Sequence, residues 1–155
     1  MRVVLAEDED SKRDKIKAFL LSSVPGLDII ETRSVRGTTK LFRLGPMPDL
    51  LLLDMSLPTF DIAAGEPGGR PQGFGGLEVV RYLERDGLRV PIIVVTQHPA
   101  FPKDGNLVDL AGVQDMVKKE APSNYRGLIY YNTLTGTWQP ELLALVGSLE
   151  SAVSK

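Results

Sequence analysis

The chain contains no cysteine and a single histidine, His98. The first absence removes disulfides, thiolate nucleophiles and thiolate-bound zinc, and the second leaves a lone imidazole without the partners that a zinc site needs. Excess charge of one sign is also missing. Lys and Arg number 18 against 20 Asp and Glu, a formal charge of −2, so no global field draws the protein toward nucleic acid. No segment joins a basic stripe to a recognition-helix pattern; the cluster Lys12, Arg13, Lys15 and Lys17 reads as the solvated face of the first helix. No apolar run approaches the roughly 18 residues that mark a membrane span. The opening MRVVLAEDED is too short in its apolar part, and turns acidic too soon, for a secretory signal. A cytoplasmic protein with neither nucleic-acid nor membrane partner is expected.

What is present is an ordinary globular mixture: 155 residues, 43% hydrophobic and 25% charged, which suits one domain over residues 1–155 with one core. Apolar, β-branched runs of strand length fall at Val3 to Ala6, Leu27 to Ile30, Leu50 to Leu53, Ile92 to Val95 and Leu128 to Tyr131. Helical spacing fills the intervals: Ile16, Phe19 and Leu20; Leu41 and Leu44; Leu77, Val80 and Leu83; Leu107, Leu110, Val113 and Val117; and Leu142, Leu145, Val146 and Leu149. Continuously apolar strands alternating with helices predict an α/β fold, a doubly wound parallel five-stranded sheet covered on both faces. The stretch Thr59 to Gly75 carries five Gly and two Pro in seventeen residues and reads as an inserted loop. Gln97 to Asn106, with Pro99, Pro102 and Gly105, reads as a second.

In such sheets the ligand site lies beyond the carboxyl ends of the strands, where the winding reverses. The first strand there ends in Glu7, Asp8, Glu9 and Asp10, the third in Asp54 and the fourth in Thr96. If the first and third strands are neighbours, Glu7, Asp8 and Asp54 converge, and three carboxylates repel one another unless a cation joins them. Magnesium, which takes one or two carboxylates, a backbone carbonyl, waters and a phosphate oxygen, suits an open strand-end cluster. It would neutralise a phosphoryl group arriving at Asp54. Asp10 or Ser11 is the expected N-cap of the first helix.

These residues resemble a known family. VVLAEDED is similar to the first strand and acidic pair of response-regulator receivers; DLLLLDMSLP to their third strand, phosphoacceptor Asp and following Pro; GGLEVVRYL to the next helix; VPIIVVTQ to the fourth strand with its switch Thr. The resemblance spans nearly the whole chain. It implies a flavodoxin-like (βα)5 fold of strand order 2-1-3-4-5, with Asp54 as phosphoacceptor and Thr96 bonding the phosphoryl group. Magnesium would be held by Glu7, Asp8, Asp54 and the Ser56 backbone carbonyl. It further implies a sensor histidine kinase or small phosphodonor upstream and a protein target downstream, leaves homodimerisation open, and implies a signalling protein rather than an enzyme.

The chain departs from that pattern. Receivers end the fifth strand in a Lys that pairs with the phosphoryl group, whereas GLIYYNTLTG places Tyr131 or Asn132 there. The loop after Pro58 is longer than usual, and Gln97 replaces the small residue after the switch Thr. A charge-assisted hydrogen bond contributes roughly 1.5–3 kcal/mol, a sizeable part of the ~5.5 kcal/mol that swings a two-state switch almost completely. Arg70 or Lys103 are candidate substitute cations. The alternative is a pseudo-receiver, a docking module not switched by phosphorylation. A haloacid-dehalogenase-type phosphatase would need a second Asp where Ser56 stands, and a flavin carrier would need a glycine- and hydroxyl-rich first loop where EDED stands.

Overall fold

The computed structural model describes residues 1–61 and 74–153, the last three as backbone only. Most of the expected insertion, including Ile62 and Arg70, lies outside the described residues. The sheet is built from β1 (Arg2–Ala6), β2 (Asp28–Thr32), β3 (Leu50–Leu53), β4 (Ile92–Thr96) and β7 (Tyr125–Tyr130). All neighbours are parallel, in the order β2-β1-β3-β4-β7. With β7 as the fifth strand of the sheet, this is the 2-1-3-4-5 order expected of a doubly wound, flavodoxin-like fold.

Side-chain alternation sorts the strands' apolar residues into two layers. Val4, Ala6, Leu51, Leu53 and Val94 face α2 (Val35–Leu44), α3 (Gly75–Arg85) and α4 (Leu110–Glu120). Val3, Leu5, Leu50, Leu52 and Val95 face α1 (Asp10–Ser23) and α5 (Trp138–Val153). Every residue of β3 and β4 is buried, which is why LLLL and IIVVT carry no polar alternation.

Four expectations about elements are corrected. The segment from Gln97 to Asn106 is not a plain loop, because Ala100–Lys103 (β5) pairs antiparallel with Asn106–Asp109 (β6). Its tip is Asp104-Gly105, with φ of 52° and 82°, the dipeptide that supplies positive φ at both central positions of a two-residue hairpin. Leu107 therefore lies in β6, largely exposed, and not on the fourth helix. Asp109 caps that helix by accepting from the Gly112 N–H at 2.9 Å. In α1 the cap position is Glu9, with no side-chain bond, rather than Asp10 or Ser11. In α2 the buried face is Val35, Thr38 and Phe42, and Leu44 is exposed.

The pair Gly75-Gly76 fixes how α3 meets the sheet. A Cβ on Gly75 would stand 1.9 Å from the Leu57 carbonyl oxygen, and one on Gly76 2.6 Å from that of Asp54. The Gly76 N–H bonds the Met55 carbonyl at 2.9 Å. Because backbone cannot swing aside as a flexible side chain can, overpacking here is costly. Gly76→Ala is expected to lower stability by about 1–3 kcal/mol in urea unfolding. Gly147→Ala, in α5 with no atom near the added methyl, should instead raise it by about 0.5–1 kcal/mol. Equal effects at the two sites would show that the close approach carries no energy.

Candidate functional site

β1 and β3 are adjacent, with Ala6 registered on Leu53, so their carboxyl ends deliver Glu7, Asp8 and Asp54 to one place. Oxygens of all three lie within 4.8 Å of one another. Glu7 and Asp54 are buried, and Asp8 is half-buried. Thr96 closes the end of β4, fully buried, its hydroxyl accepting from the His98 N–H at 3.2 Å. The Ser56 N–H donates to Asp54 Oδ1 at 3.3 Å, placing Ser56 in the turn beside the acidic group.

The first helix corrects the expected solvated cluster. Lys15 is exposed and Lys17 pairs with Glu31 at 3.3 Å, but Lys12 and Arg13 are buried. The Lys12 ammonium lies 2.7 Å from Glu7 Oε2, 2.9 Å from the Val95 carbonyl and 3.5 Å from Asp54 Oδ1. Those three acceptors sit at the ends of three different strands. Arg13 bonds the Glu7 carbonyl at 3.1 Å and pairs with Asp10, tying the helix start to the same loop.

A cation in the first turn of a helix opposes the helix dipole, and a buried ammonium forfeits several kcal/mol of hydration. Lys12 is stable there only because the acidic group compensates both costs. Burial pulls its pKa down, but Asp54 and then Glu7 hold it above the usual lysine value. The carboxylates show the reverse stress. Burial, and then the Asp54 charge, push Glu7 up to about 8 and Asp8 up to about 6. When all three are ionised, three carboxylates against one ammonium leave two negative charges, which one divalent cation balances. The donor set is all hard oxygen, as magnesium requires. Both Glu7 oxygens are already engaged, Oε2 by Lys12 and Oε1 by the Glu9 N–H at 3.0 Å, so Asp8 and Asp54 offer the freer ligand atoms.

Tyr131 follows β7, its N–H bonded to the Thr96 carbonyl at 2.7 Å. The Lys12 ammonium lies 5.9 Å from the centre of its ring, and the ring packs on Trp138 at 5.0 Å. Asn132 turns away and accepts from the Leu134 N–H at 2.9 Å. Gln97 bonds Glu9, bridging the loops after β4 and β1. Of the two expected substitute cations, Lys103 lies over the Phe74 ring at 5.9 Å, and Arg70 is outside the described residues. Among the described residues it is Lys12 that pairs with Asp54. The signal for its burial is in the sequence, since Lys12, Ile16 and Leu20 lie four residues apart on one helical stripe.

The order of the parallel sheet gives the chain the fold of response-regulator receiver domains, with carboxylates after its first and third strands and a buried hydroxyl at the end of its fourth. In sequence the chain is similar to the Detocs response regulatory protein DtcB of Enterobacter cloacae, at 23% identity over 152 residues, covering 96% of this chain and all of that one. In fold it is similar to the receiver domain of a Francisella response regulator (TM-score 0.66, 15% identity, 98% of each chain). A response regulator receiver protein from Pseudoalteromonas atlantica is comparably similar (TM-score 0.66, 13% identity, 99% of each chain). No family model matches the chain. The resemblance read from the sequence thus holds in sequence with this relative and in fold with these structures. Among the described residues, no helix is long and apolar enough to cross a membrane.

A pH dependence follows from the strained carboxylates. Groups whose folded pKa exceeds the unfolded value contribute stability that is full below the unfolded value and lost as pH rises through the folded one. For Glu7 that window runs from 4.5 to about 8 and for Asp8 from 3.8 to about 6. Without divalent ions, Tm should fall as pH climbs toward 8. Magnesium should raise Tm more at pH 8 than at pH 6, and Asp8→Ala should weaken magnesium binding, followed by Trp138 fluorescence. A magnesium effect on Tm that is equal at both pH values, or unchanged affinity in Asp8→Ala, would reject this metal site.

Proposed function

We propose that the chain is a response-regulator receiver in phosphorelay signalling, accepting a phosphoryl group on Asp54 from a histidine kinase or a small phosphodonor and signalling through protein contacts. The observation that carries this reading is the meeting of Glu7, Asp8 and Asp54 at the end of a receiver-type sheet, within reach of one cation. Bound magnesium would supply positive charge between the carboxylates and the incoming phosphoryl oxygens.

The residues then divide the work. A carboxylate oxygen of Asp54 attacks the phosphorus of the donor; the new O–P bond forms as the donor's O–P or N–P bond breaks, and the leaving group departs with that electron pair. Asp8 and the Ser56 backbone carbonyl would hold the metal with Asp54, and Glu7 would shape the charge around it. Thr96, whose hydroxyl oxygen is already engaged by the His98 N–H, keeps its own proton to donate to a phosphoryl oxygen. The relative's designation as a response regulatory protein supports the same role.

A phosphorylation-independent docking module is the second reading. It is favoured by Lys12, which already gives its pocket a resident counter-ion. Acetyl phosphate with magnesium separates the two. The wild-type protein should gain the mass of one phosphoryl group, labile to hydroxylamine, and Asp54→Asn should gain none. No gain in wild type, with either acetyl phosphate or phosphoramidate as donor, would favour the docking module.

A further inference from the structure

We propose that Lys12 is the cation that pairs with the phosphoryl group on Asp54, so that the response to phosphorylation is delivered to α1 rather than to the end of β7. The inference rests on Asp54 as phosphoacceptor and adds to it the residue that reads the modification.

The argument starts from geometry. An ammonium has three hydrogens, and at Lys12 three acceptors surround it: a carboxylate after β1, the phosphoacceptor carboxylate after β3 and the carbonyl preceding Thr96 in β4. The contact to Asp54 is the longest of the three at 3.5 Å. A phosphoryl group on Asp54 would bring more negative charge and new acceptor oxygens into this space, and an ammonium bonds an anionic oxygen more strongly than a neutral carbonyl. The Val95 carbonyl is therefore the partner that Lys12 gives up first, and that carbonyl belongs to the residue before the buried Thr96.

The end of β7 offers no cation of its own to this pocket. Tyr131 occupies the position after β7, its ring facing the ammonium and backed by Trp138. Trp138 in turn meets Phe19 of α1 edge-on at 5.3 Å. Lys12 itself stands on α1, so a change in its partners acts first on that helix, and the end of β7 meets it only through aromatic rings.

Beryllofluoride with magnesium, a phosphoryl mimic, provides the test. In wild type, binding should shift the backbone amides of residues 10–17 and the Lys12 side-chain nitrogen resonance, while residues 125–131 and α5 shift little. Lys12→Met should bind the mimic about tenfold or more weakly. Transferring the cation, in Lys12→Met combined with Tyr131→Lys, should recover affinity and move the perturbed amides to β7. Circular dichroism in magnesium checks that each variant is folded, and the wild-type resonances answer the question even where a variant is not. Mimic binding by wild type without perturbation of Lys12, or affinity in folded Lys12→Met within twofold of wild type, would overturn the role of Lys12 and leave Asp54 as acceptor. Failure of wild type to bind the mimic at all would instead overturn the phosphoacceptor reading and this inference with it.

Discussion

Negative charge gathered at the ends of adjacent parallel strands is the constraint on which the site depends. Register in the sheet places Ala6 beside Leu53, so the residues that follow, Glu7 and Asp54, cannot avoid each other. Such a cluster is tolerable only with positive charge inside it. The chain meets part of the demand itself, by turning the third residue of α1 inward against the helix dipole. Arg13 has a separate task, binding the Glu7 carbonyl and holding the loop that carries the carboxylates. The remaining demand, two charges, is what makes a divalent ion a natural occupant.

Much of the architecture was legible because burial on both faces writes itself into the sequence as uninterrupted apolar runs. LLLL and IIVVT admit no reading as surface strands, and their spacing fixed the βα alternation. The acidic residues were legible for a related reason: strand-end positions are where such sheets bind ligands. The β5–β6 hairpin is hidden because Pro99, Pro102 and Gly105 read as irregular chain, although Asp104-Gly105 is the dipeptide of a two-residue hairpin turn. Phe101 shows what the pattern concealed, for it is buried against Phe74 and beside His98.

The burial of Lys12 is hidden in the sequence because a charged residue in a basic cluster ordinarily faces solvent. Lysine is seldom fully buried unless it is paired, and the sequence alone does not display the pairing, which spans 42 positions from Lys12 to Asp54. Periodicity was the better guide. The stripe of Ile16 and Leu20 continues through position 12, so the helix had to bury whatever residue stood there. The pattern to look for is a cation on an apolar stripe, five residues after a strand-end carboxylate.

The arrangement also bears on how receivers are sorted. A survey that looks for lysine at the end of the last strand would count this chain among degenerate forms. The ammonium is nonetheless in the pocket, supplied by a residue of α1 close in sequence to Glu7 and Asp8. Segment 7–12 therefore carries, within one loop and half a helical turn, both the acidic residues and their counter-charge, and only Asp54 comes from elsewhere. Inspection by position in space, rather than by column in an alignment, is what would recover other chains built on this plan.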